Sequence, residues 1–120
     1  MYYRNKGNKY NNKKVTIDNI TFDSKKEARR YQELKLMEKT GLISNLVLQP
    51  KFELLEQFTY KNKVYRKIEY IADFGYIRCL DDILVIEDVK GVKTDVFKIK
   101  EKLFLKSILD KGIEFEFNLI

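Results

Sequence analysis

The spacing of apolar and polar positions divides the chain into a short hairpin, two helices and a run of strands. Val15 to Phe22 alternates, with Asp18-Asn19 at its middle. That predicts a β-hairpin, because Asp and Asn tolerate the left-handed backbone of a tight turn. Ser24-Lys25-Lys26-Glu27 has capping-box form and opens a helix running to about Thr40, with Gly41 as its stop. At 100° per residue, Glu27, Tyr31, Leu34 and Met37 fall in one arc, the predicted buried face. Leu46 to Phe58 predicts a strand, with Pro50 marking an edge or a bend. Lys61-Asn62-Lys63 predicts a turn. Val64 to Ile77 predicts one long strand, with Ile68, Tyr70, Ala72, Phe74 and Tyr76 on one face and Ile71, Asp73 and Ile77 on the other. Leu80-Asp81-Asp82 turns the chain into Ile83 to Lys90, which is apolar enough for a sheet centre and ends at Gly91. A second helix is predicted from about Thr94 to Asp110, stopped by Gly112. A last strand, Ile113 to Ile120, alternates Phe115 and Phe117 with Glu114 and Glu116. Hairpin, helix, three strands, helix, strand is the order of an α/β fold with a mixed central sheet.

Composition narrows the chemistry. A length of 120 residues fits one domain, here residues 15–120 behind an arm of residues 1–14. No apolar run approaches the roughly 20 residues that span a bilayer, and the polar, basic start lacks the apolar stretch of a secretory signal. A cytoplasmic protein with no membrane partner is expected. One cysteine, Cys79, and no histidine exclude zinc sites of the Cys/His type. They also exclude mechanisms that use a histidine base. Catalysis would have to run on carboxylates, lysines, tyrosines and a metal. Of the net charge of +6, the arm holds Arg4, Lys6, Lys9, Lys13 and Lys14 with no acid, interleaved with Tyr2, Tyr3 and Tyr10. That mixture suits a phosphate backbone and exposed bases, and it equally describes a solvated chain end. The remaining body averages near neutrality and predicts no large basic face.

Asp88-Val89-Lys90 closes the apolar strand. Residues two apart on a strand point the same way, so Asp88 and Lys90 project together and Glu87 projects to the opposite face. Pairing with the preceding strand would bring Asp73 beside Asp88. Two adjacent carboxylates repel unless a cation neutralises them, and Mg²⁺ suits hard oxygen ligands. A lysine beside such an ion can orient or deprotonate water, the chemistry of phosphodiester hydrolysis. Acid-any-lysine triplets also occur at Asp23-Ser24-Lys25 and Glu33-Leu34-Lys35, so the triplet alone reads first as a strand end meeting solvent. Asp73 and Glu27 add weight, since each is a carboxylate set among apolar neighbours. Capping-box geometry with Ser24 is the other account of Glu27. In the second helix, Val96, Phe97, Ile99, Leu103, Phe104 and Ile108 form an apolar arc with Lys100 near its middle. Lys100 either lies along apolar surface or reaches the same anionic site.

At these residues the sequence resembles the PD-(D/E)XK nuclease superfamily, matching it at Glu27, at Ala72-Asp73 and at Asp88-Val89-Lys90. Ala72 stands where the proline of that name would be. Within that superfamily the chain is similar to a family of small phage-encoded nucleases, some described as Holliday-junction resolvase-like. Lys9-Tyr10-Asn11, Ile20 to Ser24, Glu27-Ala28-Arg29, Gln49-Pro50, Tyr70 to Phe74, Glu87 to Gly91 and Thr94 to Lys100 carry that similarity. The resemblance implies a restriction-endonuclease-like α-β-β-β-α-β core with an N-terminal hairpin. It implies Mg²⁺, with Mn²⁺ substituting, held by Glu27, Asp73, Asp88 and the Val89 carbonyl. Lys90 and Lys100 would join the carboxylates in catalysis, and Gln49, Lys93 and Thr94 would join the basic arm in contacting DNA. The implied activity is endonucleolytic cleavage of branched or structured DNA in the host cytoplasm. A homodimer follows from the need to cut two strands; Phe115 and Phe117 are candidate surface for it, or else simply cover the second helix. Two other readings stand beside it: a DNA-binding module without catalysis, and a structural phage protein.

Overall fold

The computed structural model describes residues 13–90 and 92–120. Arg4, Lys6, Lys9 and the arm's tyrosines therefore lie outside the described residues, as does Gly91; Lys13 and Lys14 are exposed.

A hairpin of β1 (Val15–Ile17) and β2 (Ile20–Phe22) leads into helix α1 (Lys25–Lys39). Asp18 and Asn19 take φ of 54° and 64° at the hairpin turn. Both are positive, as a two-residue turn matching strand twist requires. Ser24 caps α1, its hydroxyl accepting from the Glu27 amide at 3.1 Å. Gly41, at φ of +84°, follows the helix end in the left-handed conformation that glycine adopts at least cost.

Strands β3 (Ile43–Leu48), β8 (Phe74–Arg78), β9 (Ile83–Asp88) and β10 (Phe115–Leu119) form the main sheet, in the order β10-β9-β8-β3. β10 runs parallel to β9, and the other two pairings are antiparallel. Helix α2 (Asp95–Asp110) makes the crossover from β9 to β10. The fold is mixed α/β with a mixed sheet, and β9, the most apolar strand, lies inside it as expected.

The two long strands predicted on either side of Lys61-Asn62-Lys63 are broken. Leu46 to Phe58 is instead the end of β3, then β4 (Lys51–Leu55), then the start of β5 (Phe58–Tyr60). Val64 to Ile77 is instead most of β6 (Lys63–Tyr65), then β7 (Ile68–Ile71), then most of β8. Gln49, at φ of 52°, and Pro50, which has no N–H to give a ladder, end β3. The opposing break falls at Ala72-Asp73. The two are stitched together by the Gln49 amide donating to the Asp73 carbonyl (2.9 Å) and the Ala72 amide donating to the Pro50 carbonyl (3.1 Å). Beyond them, β4 pairs with β7 and β5 with β6, making a ribbon apart from the main sheet.

The break also overturns the predicted alternation. Tyr70 and Ala72 pack in the layer of α2, whereas Phe74 and Tyr76 pack in the layer of α1. On one face of the sheet, Ala28, Tyr31 and Leu34 of α1 meet Phe22, Ile43, Phe74, Tyr76 and Val85. On the other, Phe97, Phe104 and Ile108 of α2 meet Tyr70, Ala72 and Ile86. Phe104 is fully buried, with ring centroids of Phe52, Tyr70 and Phe117 at 4.7, 5.0 and 5.3 Å. Truncating such a ring to alanine typically costs about 3–5 kcal/mol.

The apolar arc of the second helix is corrected, and the role of the last strand's phenylalanines is decided. Val96, Ile99 and Leu103 are exposed, because the sheet covers only the narrower strip of Phe97, Phe104 and Ile108. Phe115 and Phe117 pack against α2, as expected if they serve to cover that helix. No helix of the described residues is long and apolar enough to cross a membrane.

Candidate active site

The ends of β7 and β9 and the start of α1 meet at one cleft of about 330 Å³. Glu27, Asp73, Asp88, Val89 and Lys90 all line it, with Asp23, Ser24, Lys26 and Ile71. The strand break supplies Asp73. Its amide donates to the Glu87 carbonyl at 3.1 Å, which fixes it beside the end of β9. Its carboxylate Oδ2 in turn accepts the Val89 amide at 2.8 Å. Asp88 closes β9 and is buried, and its Oδ2 accepts the hydroxyl of Tyr70. Lys90 Nζ stands 3.4 Å from the same oxygen and 4.5 Å above the Phe97 ring. The ring face and the carboxylate hold that amine from two sides.

Asp73 and Asp88 face each other at hydrogen-bonding range. Burial of Asp73, then the bond with Asp88, push the Asp73 carboxyl up to about 7, against the pull of the Val89 amide. Burial is also the largest cause raising Glu27, followed by the charges of Asp23 and Asp88, while Lys90 pulls it down. The site is therefore overloaded with negative charge. Among the described residues no three carboxylates gather closely enough to hold an ion alone. Asp73 and Asp88 form the tight pair, and Glu27 lines the same cleft without completing a triad. A pair matches Mg²⁺, which commonly takes one or two carboxylates and keeps several waters.

Glu87 points to the opposite face from Asp88, as strand alternation requires. There it is fully buried and gripped by Arg30, through Nε at 2.8 Å and Nη2 at 2.6 Å, and by the Tyr76 hydroxyl. Arg30 lies one turn after Glu27, so this bidentate pair pins to β9 the helix that carries Glu27.

The outlying candidates fall around this centre. Lys100 does not line the carboxylate cleft. It lines the adjoining hollow, together with Tyr70, Lys90, Thr94 and Phe97. Thr94 caps α2, its hydroxyl accepting the Phe97 amide at 3.0 Å, and Lys93 beside it is exposed. Gln49 shares a third hollow with Glu27 and Asp73. Sequence reasoning gave Tyr70 no role beyond a place on one strand face and in a block of family similarity, and it gave none to Lys26 or Arg30. A tyrosine three positions before a site aspartate carries no local mark that separates it from core.

No curated protein and no solved structure matches the chain. A family model does match over residues 7–115, a span holding every residue of the cleft. The chain therefore belongs to the family described as "Protein of unknown function (DUF1064)".

Proposed function

We propose that this chain is a Mg²⁺-dependent endodeoxyribonuclease of the PD-(D/E)XK kind, acting on branched or structured DNA, with Mn²⁺ able to replace Mg²⁺. The observation that carries the reading is the joint placement of Glu27, Asp73, Asp88 and Lys90 on one cleft, with two carboxylates pressed together. Topology supports it. Leaving aside the ribbon between β3 and β8, the elements run α1-β3-β8-β9-α2-β10, the order of a restriction-endonuclease-like core.

What a bound Mg²⁺ contributes is neutralisation of the scissile phosphate and activation of water. The chain's residues do the rest. Asp73 has one oxygen engaged by the Val89 amide and Asp88 one by Tyr70 with Lys90, and the bond between the two carboxyls is the contact a cation would replace. Val89 lines the same cleft, and its backbone carbonyl would serve as a neutral donor. Lys90 holds its ammonium where it can orient the attacking water and meet the charge that builds on the phosphate. Glu27, which lines the cleft and whose carboxyl is raised, would take a proton from that water.

The test is cleavage of a panel of duplex, single-stranded, flap and four-way-junction DNA with Mg²⁺ and with Ca²⁺. Cleavage with Mg²⁺ alone is expected, lost in Asp88→Asn and Lys90→Ala with DNA affinity retained. Wild-type rates in either variant would rule the mechanism out.

A further inference from the structure

The β5–β6 hairpin stands apart from both core layers. Every residue from Leu55 to Ile68 is exposed. Phe58, Tyr60, Val64 and Tyr65 are 44%, 58%, 55% and 37% exposed, a cluster of apolar side chain of the kind that marks an interaction site. Its charge is equally one-sided. Residues 57–68 hold Lys61, Lys63, Arg66 and Lys67 and no acid, between Glu56 and Glu69, the second of which pairs with Lys67 at 3.3 Å. With the +5 of the arm set aside, this segment of +4 leaves the rest of the chain at −3. The near-neutral average over the body conceals a basic projection on an acidic domain.

The basic and aromatic groups are interleaved in space. Phe58 and Tyr65 stack at 5.0 Å with planes 7° apart, Lys61 Nζ lies over the Tyr60 ring at 5.4 Å, and Lys63 Nζ lies over the Tyr65 ring at 5.1 Å. Flat rings flanked by ammonium groups suit stacking on bases or sugars with phosphates alongside. The ribbon's base is the cleft itself, because Ile71 of β7 lines it beside Asp73. At about 3.3 Å per residue, the chain from Ile71 back to Asn62 reaches up to about 30 Å. That is close to one turn of duplex, about 34 Å.

We infer that the β5–β6 hairpin is a DNA-gripping arm, in which Lys61, Lys63 and Arg66 hold the phosphate backbone and Tyr60 stacks on a base or sugar about one helical turn from the cleft. The inference deepens the nuclease reading and rests on it for the identity of the polyanion as DNA.

The experiment is fluorescence anisotropy of the full chain on a 30-base-pair duplex and on a four-way junction, in Ca²⁺, across a salt series. Lys61→Ser/Lys63→Ser/Arg66→Ser should flatten the log-log salt slope on duplex by about 2.7, since each phosphate contact contributes about 0.9. Lys61→Ala alone, the milder change, should flatten it by about 0.9. Tyr60→Ala should weaken junction binding by about tenfold while leaving the salt slope unchanged. Unchanged slope and affinity in the lysine variants would overturn the inference, and persisting cleavage would then leave the nuclease reading standing. Loss of binding in these variants, with a wild-type chain that never cuts, would support the arm and sink the nuclease reading. A wild-type chain that binds no DNA at low salt, or whose self-association rather than DNA binding is lost in the variants, would overturn the inference.

Discussion

The hydroxyl of Tyr70 donates to Oδ2 of Asp88, tying a ring in the α2 core layer to one of the two carboxylates of the cleft. Burial and that bond both raise the Tyr70 phenol, so it serves as a donor and not as an anion. With Oδ2 held by Tyr70 and faced by Lys90, the other oxygen of Asp88 has a fixed direction. Core packing is thereby coupled to the geometry of the site.

Tyr70→Phe should keep the ring and remove the donor. Asp88 Oδ2 would keep Lys90 and lose its hydroxyl donor, a loss at the lower end of the about 1–3 kcal/mol for an unsatisfied buried acceptor, so the melting temperature should fall by a few degrees. Mn²⁺ affinity measured by calorimetry should weaken as Asp88 gains freedom to rotate. Metal affinity equal to that of the wild type would show that Tyr70 only fills the core.

The Arg30–Glu87 pair makes a prediction of a different kind. Glu87 is fully buried, and Arg30→Met would leave its charge without its bidentate partner. Breaking one side of such a pair costs about 3–5 kcal/mol, whereas replacing both with apolar side chains is often neutral. Urea denaturation should therefore show strong destabilisation in Arg30→Met and recovery of most of it in Arg30→Met/Glu87→Met. If the double variant is as unstable as the single one, the pair is not the link between α1 and β9.

These relations differ in how far the sequence exposes them. The cap at Ser24 was legible because it is a hydrogen bond between residues three apart, and Thr94, read only as the start of the second helix, makes the same bond. The common direction of Asp88 and Lys90, and the opposite one of Glu87, was legible because both follow from the backbone period of β9. Tyr70 was not legible in its role, because alternation carried through Ala72-Asp73 puts it on one face with Phe74, while the two lie in opposite layers. That break is set by Gln49 and Pro50, more than twenty residues earlier, which no local pattern around Tyr70 reports. Arg30 and Glu87 are 57 positions apart, so only the packed helix brings them together. The hairpin's charge was hidden by averaging it with an acidic body.

The pH dependence of stability tests the carboxylate pair without any substrate. Asp73 has an ordinary value of 3.8 and is raised to about 7 in the folded chain. Between those values the folded chain holds a proton that the unfolded chain has released, so stability must fall as pH rises from about 4 to about 7. The stabilisation is fully present below pH 4 and is lost as pH passes 7. Glu27, also raised, adds to the fall with the same sign. Urea midpoints measured in EDTA across this window should decline, and Asp73→Asn should flatten the decline because its amide takes up no proton. Metal binding runs the other way: an ion must displace the Asp73 proton, so Mn²⁺ affinity should rise by up to about tenfold per pH unit below 7 and level off above it. A wild-type curve that coincides with the Asp73→Asn curve from pH 4 to 7, together with pH-independent Mn²⁺ binding, would mean that Asp73 ionises as an ordinary surface carboxylate and that the pair is not strained.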